Sequence, residues 1–386
     1  MATLVYIIAG EPSGDILASR MMAALKKQQP DISFAGIGGE TMKALGFESL
    51  FDISELSVMG FWEVAPRLRR ILKRMEQVLA DVEARQPQVV VTVDSWGFVR
   101  PLLKKLKKRK IEIPVVHYVA PQVWAWKKGR AAQASKVIDD MMILWPYEFP
   151  YFEPYGLPCH FVGHPVIETA AQITDDLVGF KLRHQIPDEA TVLCVLPGSR
   201  HSEVKRLIPT FKKVVTQLYT HFPNLFLLIP TVDAISQEVQ HAFSDLPVPH
   251  GVIIGQYERY QAFRACAFAL AASGTVTLEL TACGAPHLIA YRFSRFTNFI
   301  VKSLVTTRYA NLINILANRY VIPEFVLNNC RDDLIYAKAL ELMSHPALAQ
   351  AQVAEAKQYF AQLKPEGMMP SEKAAWVVLE KLSPKE

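Results

Sequence analysis

The strongest constraint on this chain is a rhythm that starts twice. Short apolar runs rich in Val, Ile and Leu recur along it, separated by longer stretches whose apolar residues keep helical spacing. A strand covered by helices on both faces has no polar side, so such runs read as buried parallel strands. The pattern predicts strands at Leu4–Ala9, Ser33–Gly36, Gln88–Val93, Pro114–Val119, Met141–Leu144 and His160–Val162. It predicts a second set at Thr191–Leu196, Leu225–Ile229, Val252–Ile254, Phe268–Ala271 and His287–Tyr291. Helical periods fall between them, as at Asp15–Gln28, Leu68–Ala84, Lys205–His221 and Tyr260–Arg264. This alternation predicts the α/β class, with two Rossmann-like domains whose parallel sheets face each other across a cleft.

The restart locates the joint. Thr174–Pro187 is polar, and VLCVLPGSR then opens the second series. The expected division is an N-terminal domain over 1–170, a C-terminal domain over 171–345, and a helical segment over 346–386 that packs back on the first. A chain of 386 residues is long enough for two full cores. It has no run of about 18 uncharged apolar residues, so nothing is expected to span a bilayer. LVYIIAG has no basic residue before it and meets Glu11 and Asp15 at once, which reads as a first strand rather than a signal peptide. The five cysteines are scattered and form no CxxC, which fits a reducing cytoplasm. A net charge of +5 suits an anionic small molecule, a membrane surface or nucleic acid, and does not choose among them.

Ligands of open α/β sheets bind beyond the carboxyl ends of the strands, so the polar residues there are the candidates. The first strand ends in AGEPSGD, where Gly10 and Gly14 permit a tight turn, Ser13 or Asp15 can cap the next helix, and Glu11 and Ser13 are candidates to line the cleft. VVVTVD places Asp94 at a strand end, as a helix cap or as a general base able to take a proton from an attacking hydroxyl. HYVAPQVWAW follows: His117 is either a core histidine or a second catalytic group, and Gln122 and Trp124 lie on an aromatic loop that runs into KKGR. In the second series PGSR presents Ser199 and Arg200, whose fork suits phosphate. Ser273-Gly274-Thr275 opens a helix whose free N–H groups can hold phosphate, and Glu279, one turn on, can accept from ribose hydroxyls. Together they point to a nucleoside diphosphate. No DxD, P-loop or GxSxG occurs, His160 and His164 lack a third ligand, and neither a metal nor another cofactor is expected.

Three segments mix greasy and basic residues: LSVMGFWEVAPRLRRILKR at 56–74, RPLLKKLKKRK at 100–110 and RFTNFIVKSLVTTRY at 295–309. One alone reads as a solvated helix face. Several together point to an anionic lipid surface, while no RNA-binding module is present, so no nucleic acid is expected.

AGEPSGD, SVMGFWEV, VTVD, HYVAPQVWAW, LPGSRHSEV, ASGTVTLEL and NILAN, in that order and nearly end to end, resemble the lipid A disaccharide synthases, inverting GT-B glycosyltransferases. The resemblance implies transfer from UDP-2,3-diacylglucosamine to the 6-hydroxyl of 2,3-diacylglucosamine 1-phosphate (lipid X), without metal, at the cytoplasmic face of the inner membrane. It also implies that Asn314, in the family's NxLA position, helps organise the cleft. Two departures stand out: DSWGFV replaces the family's DxPDFN, and Ile313 stands where Pro is common. The first implies a changed fit to the acceptor's acyl chains or phosphate. A UDP-GlcNAc 2-epimerase shares the double fold but needs no lipid, so the Trp and basic segments count against it. A non-catalytic membrane or RNA-binding protein is disfavoured by the strand-end carboxylate and the nucleotide set.

Overall fold

A computed structural model of the chain describes residues 3–56, 61–123, 129–292 and 308–382, with the side chains of 61–68 left aside. Trp124, Trp126 and most of 295–309 lie outside the described residues. The first sheet has six parallel strands: β1 (Leu4–Ala9), β2 (Ser33–Ile37), β3 (Val89–Val93), β4 (Val115–Tyr118), β5 (Asp140–Ile143) and β6 (Cys159–Phe161), ordered β2-β1-β3-β4-β5-β6. The second has β7 (Thr191–Leu196), β8 (Leu225–Pro230), β9 (His250–Ile253), β10 (Phe268–Ala272), β11 (His287–Tyr291) and β12 (Glu324–Val326), ordered β12-β11-β10-β7-β8-β9. All of their pairings are parallel. Eleven of these strands coincide with expected apolar runs to within a few residues. The twelfth, Glu324–Val326, is three residues long and carries no periodicity to read.

The second sheet shows why its strands look apolar throughout. Leu193, Val195, Leu227, Ile229 and Leu270 enter one core, while Cys194, Leu196, Phe226, Leu228 and Ala271 enter the core on the opposite face. Successive side chains alternate faces, and both faces are covered.

Contacts divide the chain into residues through Pro165 together with those from Leu363 onward, and Val166–Gln362. The segment 346–386, read from sequence as one helical tail, is therefore shared between the two units. Helix Pro346–Ala361 stays with the second, where the buried Gln352 amide donates to His287 O and accepts from His287 N. Helix Pro370–Leu382 lies against α1 (Pro12–Gln28) in the first unit. There Lys381 reaches the buried Asp140, which also bonds His160 Nε2 at 2.7 Å. Burial alone would raise the Asp140 pKa, but His160 and Lys381 hold it below the usual carboxylate range.

Helix α1 is not capped by Ser13 or Asp15 as expected. It starts after Glu11 with Pro12 in its first turn and has no side-chain cap; proline there removes one of the orphan N–H groups and presets the helical φ. Asp15 is buried and serves a different helix. Its carboxylate accepts from Gly39 N at 2.7 Å, Thr41 N at 2.8 Å, Thr41 Oγ1 at 2.6 Å and Met42 N at 3.2 Å, thereby capping α2 (Glu40–Lys43). Asp15→Ala strands several buried donors and is expected to destabilise the protein by about 3 kcal/mol. The check is the urea midpoint; a change under about 0.5 kcal/mol would remove this role.

Candidate active site

In the first sheet β1 and β3 are neighbours although β2 lies between them in sequence. The chain order turns back here, and the loops after β1 and β3 leave the sheet side by side, the usual position of ligands in open α/β sheets. The loop after β1 carries Glu11 and the loop after β3 carries Asp94. Gly10 and Gly14 make this closeness possible, although neither has a positive φ. A Cβ on Gly10 would lie 2.7 Å from Ser95 Oγ, and one on Gly14 would lie 3.3 Å from Val93 O. They are glycines of close approach, not of a left-handed turn.

The backbone after β3 and β4 is strained. Asp94 and Ser95 have φ of 50° and 47°, and the β-branched Val119 has 77°. Non-glycine residues in this region cost about 1–3 kcal/mol each and gather at functional sites. Asp94 is half-buried, its N–H donates to Tyr118 O at 2.9 Å, and α4 (Trp96–Lys108) begins two residues later. Burial raises its pKa, partly offset by the Ser95 N–H. Partial desolvation and then the Asp94 charge raise that of Glu11.

His117 is not at this edge. It lies within β4, fully buried, with Nδ1 2.7 Å from Thr92 Oγ1 and its ring 5.4 Å from that of Trp96. Burial pushes its pKa down to about 3, so the ring is neutral. Of the two roles open to it, the structure supports a core histidine and not a catalytic one. Gln122 and Ser13 are exposed.

In the second sheet the order turns back between β7 and β10. PGSR leaves β7 and SGT leaves β10, again side by side. A cavity of about 270 Å³ lies there, lined by Ser199, Ser273, Gly274, Thr275 and Glu279. Arg200 is not among its lining residues; its side chain is 65% exposed and donates to Glu203 Oε1 at 3.1 Å. Glu203 also accepts from Ser199 N and from the Tyr291 hydroxyl. Glu279 is half-buried, and its partner is Arg259 at 3.0 Å. Burial raises the Glu279 pKa, and Arg259 partly offsets this.

Sequence reasoning missed three residues of this cavity: Glu203, Thr231 and Arg259. Glu203 had a signal, three residues after Arg200 in the first turn of a helix. Thr231 comes from the loop after β8 and Arg259 from the first turn of the helix Gln256–Ala265 after β9, and neither had one. Thr231 Oγ1 and Arg259 Nε are buried without a hydrogen-bond partner among the described residues, so polar groups of a ligand have something to bind.

Asn314 is fully buried in the second unit. Its amide donates to Ile322 O and Glu324 Oε1, both at 2.7 Å, and accepts from the N–H groups of Val321 and Ile322, both at 2.8 Å. All its bonds are used inside the fold, so it ties a helix to β12 and offers nothing to a ligand.

Residues 5–378 match the lipid-A-disaccharide synthetase family. The chain belongs to this family. It is 43% identical over 380 residues to the lipid-A-disaccharide synthase of Paramagnetospirillum magneticum, covering 98% of this chain and 97% of that one. It is 40% identical to that of Rhodospirillum centenum, covering 97% and 94%. Its membership makes it a glycosyltransferase, and the alternatives of an epimerase or a non-catalytic binder are not favoured. Among solved structures it is similar to the Neisseria meningitidis UDP-GlcNAc 2-epimerase bound to UDP-GlcNAc (TM-score 0.67, 12% identity, 99% of each chain). It is also similar to Acinetobacter baumannii MurG (TM-score 0.57, 15% identity, 98% of this chain and 99% of that one). At these identities the likeness speaks for the fold, which is of the GT-B type.

Gly198 holds the donor-side turn of this family member in place. Its φ is +118°, and a Cβ there would lie 2.7 Å from Glu203 Oε2. Gly198→Ala is expected to cost about 1–3 kcal/mol, read as a lower melting temperature; an unchanged melting temperature would contradict the geometry.

Proposed function

We propose that the chain joins UDP-2,3-diacylglucosamine to 2,3-diacylglucosamine 1-phosphate, giving a β-1,6-linked disaccharide 1-phosphate and UDP. The observation that carries the mechanism is Asp94, a half-buried carboxyl group on strained backbone where the sheet order turns back. Asp94 takes the proton of the acceptor 6-hydroxyl as that oxygen bonds to the donor's anomeric carbon. The bond from that carbon to the diphosphate breaks on the opposite face, which inverts the configuration. UDP leaves with the electron pair.

The first unit holds the acceptor and the second holds the donor. Ser273, Gly274 and Thr275 at the start of helix Val276–Cys283 present N–H groups to the diphosphate. Arg200 turns from Glu203 to the charge that develops there. Glu279, oriented by Arg259, accepts from the ribose. Glu11 flanks the base, and Gln122 and Trp124 complete the acceptor side.

The acyl chains of both substrates place the enzyme against a membrane. Among the described residues no helix is long and apolar enough to cross one. On α3 (Phe61–Arg85), Leu72 is exposed beside exposed Arg69, Arg70 and Lys73. That mixture suits peripheral attachment to anionic lipid at the inner face of the inner membrane.

Incubating the protein with labelled donor and acceptor tests the reading directly, since a disaccharide 1-phosphate must form. Asp94→Ala should lower turnover about 10²–10⁴-fold while UDP still binds, and normal turnover in a folded variant would exclude Asp94 as the base. Arg200→Ala should weaken UDP binding by about 1.5–3 kcal/mol, and unchanged affinity would remove Arg200 from the donor site. The base must be ionised, so activity falls as pH drops through the Asp94 pKa. Because burial raises that pKa, the acid limb of kcat/KM should lie above pH 4, the region of an ordinary aspartate. A limb at or below pH 4 would show that another group limits the rate.

A further inference from the structure

Helix α4 carries cations of two kinds. Lys105 and Arg109 reach Glu76 and Glu83 of α3 in ion pairs, which accounts for two of the seven cations from residue 100 to 110. Arg100, one turn into the helix, has no carboxylate partner among the described residues, and its Nε is buried without an acceptor. Its charge acts on another cation, Arg130 in α5 (Gly129–Ala134). Burial, and then the Arg100 charge, push the Arg130 pKa down.

A buried guanidinium N–H with no acceptor is unfavourable, and a second cation close by adds repulsion. An anion that bridges the two removes both penalties. Phosphate fits best, since the guanidinium fork pairs two N–H groups with two phosphate oxygens.

The topology puts this pair on the acceptor side. Helix α4 follows β3, α5 follows β4, and β3 and β4 are neighbours in the sheet. Both helices therefore start from the edge that carries Asp94. The Asp94 shift arises from burial and the Ser95 N–H, with neither arginine contributing, so the two cations are not spent on the base. Gly97 lies exposed in the turn before Arg100 and supplies no acid to compete for it.

We propose that Arg100, together with Arg130, binds the phosphate monoester of the acceptor sugar, and that Arg100 makes the enzyme specific for a phosphorylated acceptor. The proposal rests on the acceptor assigned above. It is tested with full-length protein in neutral detergent micelles, using UDP-2,3-diacylglucosamine and two acceptors: 2,3-diacylglucosamine 1-phosphate and the same sugar without phosphate. Arg100→Ala should lose about 10–100-fold in kcat/KM for the phosphorylated acceptor, mainly through KM, the range of a charged hydrogen bond. It should change less than about twofold for the other acceptor and for UDP affinity. Arg100→Lys should recover part of the loss, and Arg100→Gln replaces the alanine variant if that one does not fold.

Equal losses on both acceptors, or no loss, would overturn the proposal. So would a loss seen only when anionic vesicles replace the micelles, which would mark a lipid headgroup site. If the unaltered protein forms no disaccharide from either acceptor, the function itself fails. The anion site then stands or falls on calorimetric binding of glucosamine 1-phosphate that Arg100→Ala abolishes.

Discussion

In each sheet there is one place where the strand order reverses, and the chemistry of this protein depends on it. A strand at that place has neighbours whose connections run to opposite faces, so the loops on either side part and leave a notch lined by backbone N–H groups. In the first sheet the notch falls between β1 and β3, and in the second between β7 and β10. Four stretches that look unrelated in sequence, AGEPSGD, VTVD, PGSR and ASGT, become two pairs of neighbours for this reason alone. No local propensity brings Glu11 to Asp94 across more than eighty residues; parallel pairing of Ala9 with Val93 does.

The same unit holds two aspartates that burial treats in opposite ways. Desolvation is the leading influence on both and raises both pKa values. Asp140 has His160 and Lys381 to offset it and ends below the usual range, an ion pair that fastens the chain's return. Asp94 has only a backbone N–H and ends above it. A carboxyl whose charge is left uncompensated holds a proton more tightly, which is what a base needs. Asp140 opens β5 and finds its partners in His160, 20 residues on, and in Lys381 on the returning helix, whereas Asp94 follows the end of β3 and has no such partner among the described residues.

The strands and the doubled sheet were legible in the sequence because burial on both faces leaves an unmistakable apolar signature. That Asp94 and the SGT turn stand just past strand ends was legible because each closes an apolar run. Side-chain partners were not. Asp15 caps Thr41 and not its own helix, since Pro12 already begins α1. His117 sits in β4, where all four residues are buried, and alternation along a strand does not reveal depth. Thr231, from the loop after β8, and Arg259, from the helix after β9, reach the cavity of the second sheet, and only the tertiary fold aligns them.

Motif residues in this chain therefore divide by how their hydrogen bonds are filled. Asn314 and Asp15 spend theirs inside the fold: Asn314 makes four bonds to Val321, Ile322 and Glu324, and Asp15 accepts four from residues 39–42. Such residues are props, and losing one costs stability first. Thr231 Oγ1, Arg259 Nε and Arg100 Nε are buried with no hydrogen-bond partner among the described residues. A fold that leaves a buried donor empty gives up about 1–3 kcal/mol for each, and a ligand that fills it recovers that energy on binding. Under the proposed function, the unfilled donors near the carboxyl ends of both sheets are where binding energy is stored, and the strained backbone at Asp94, Ser95 and Val119 marks the edge at which it is applied.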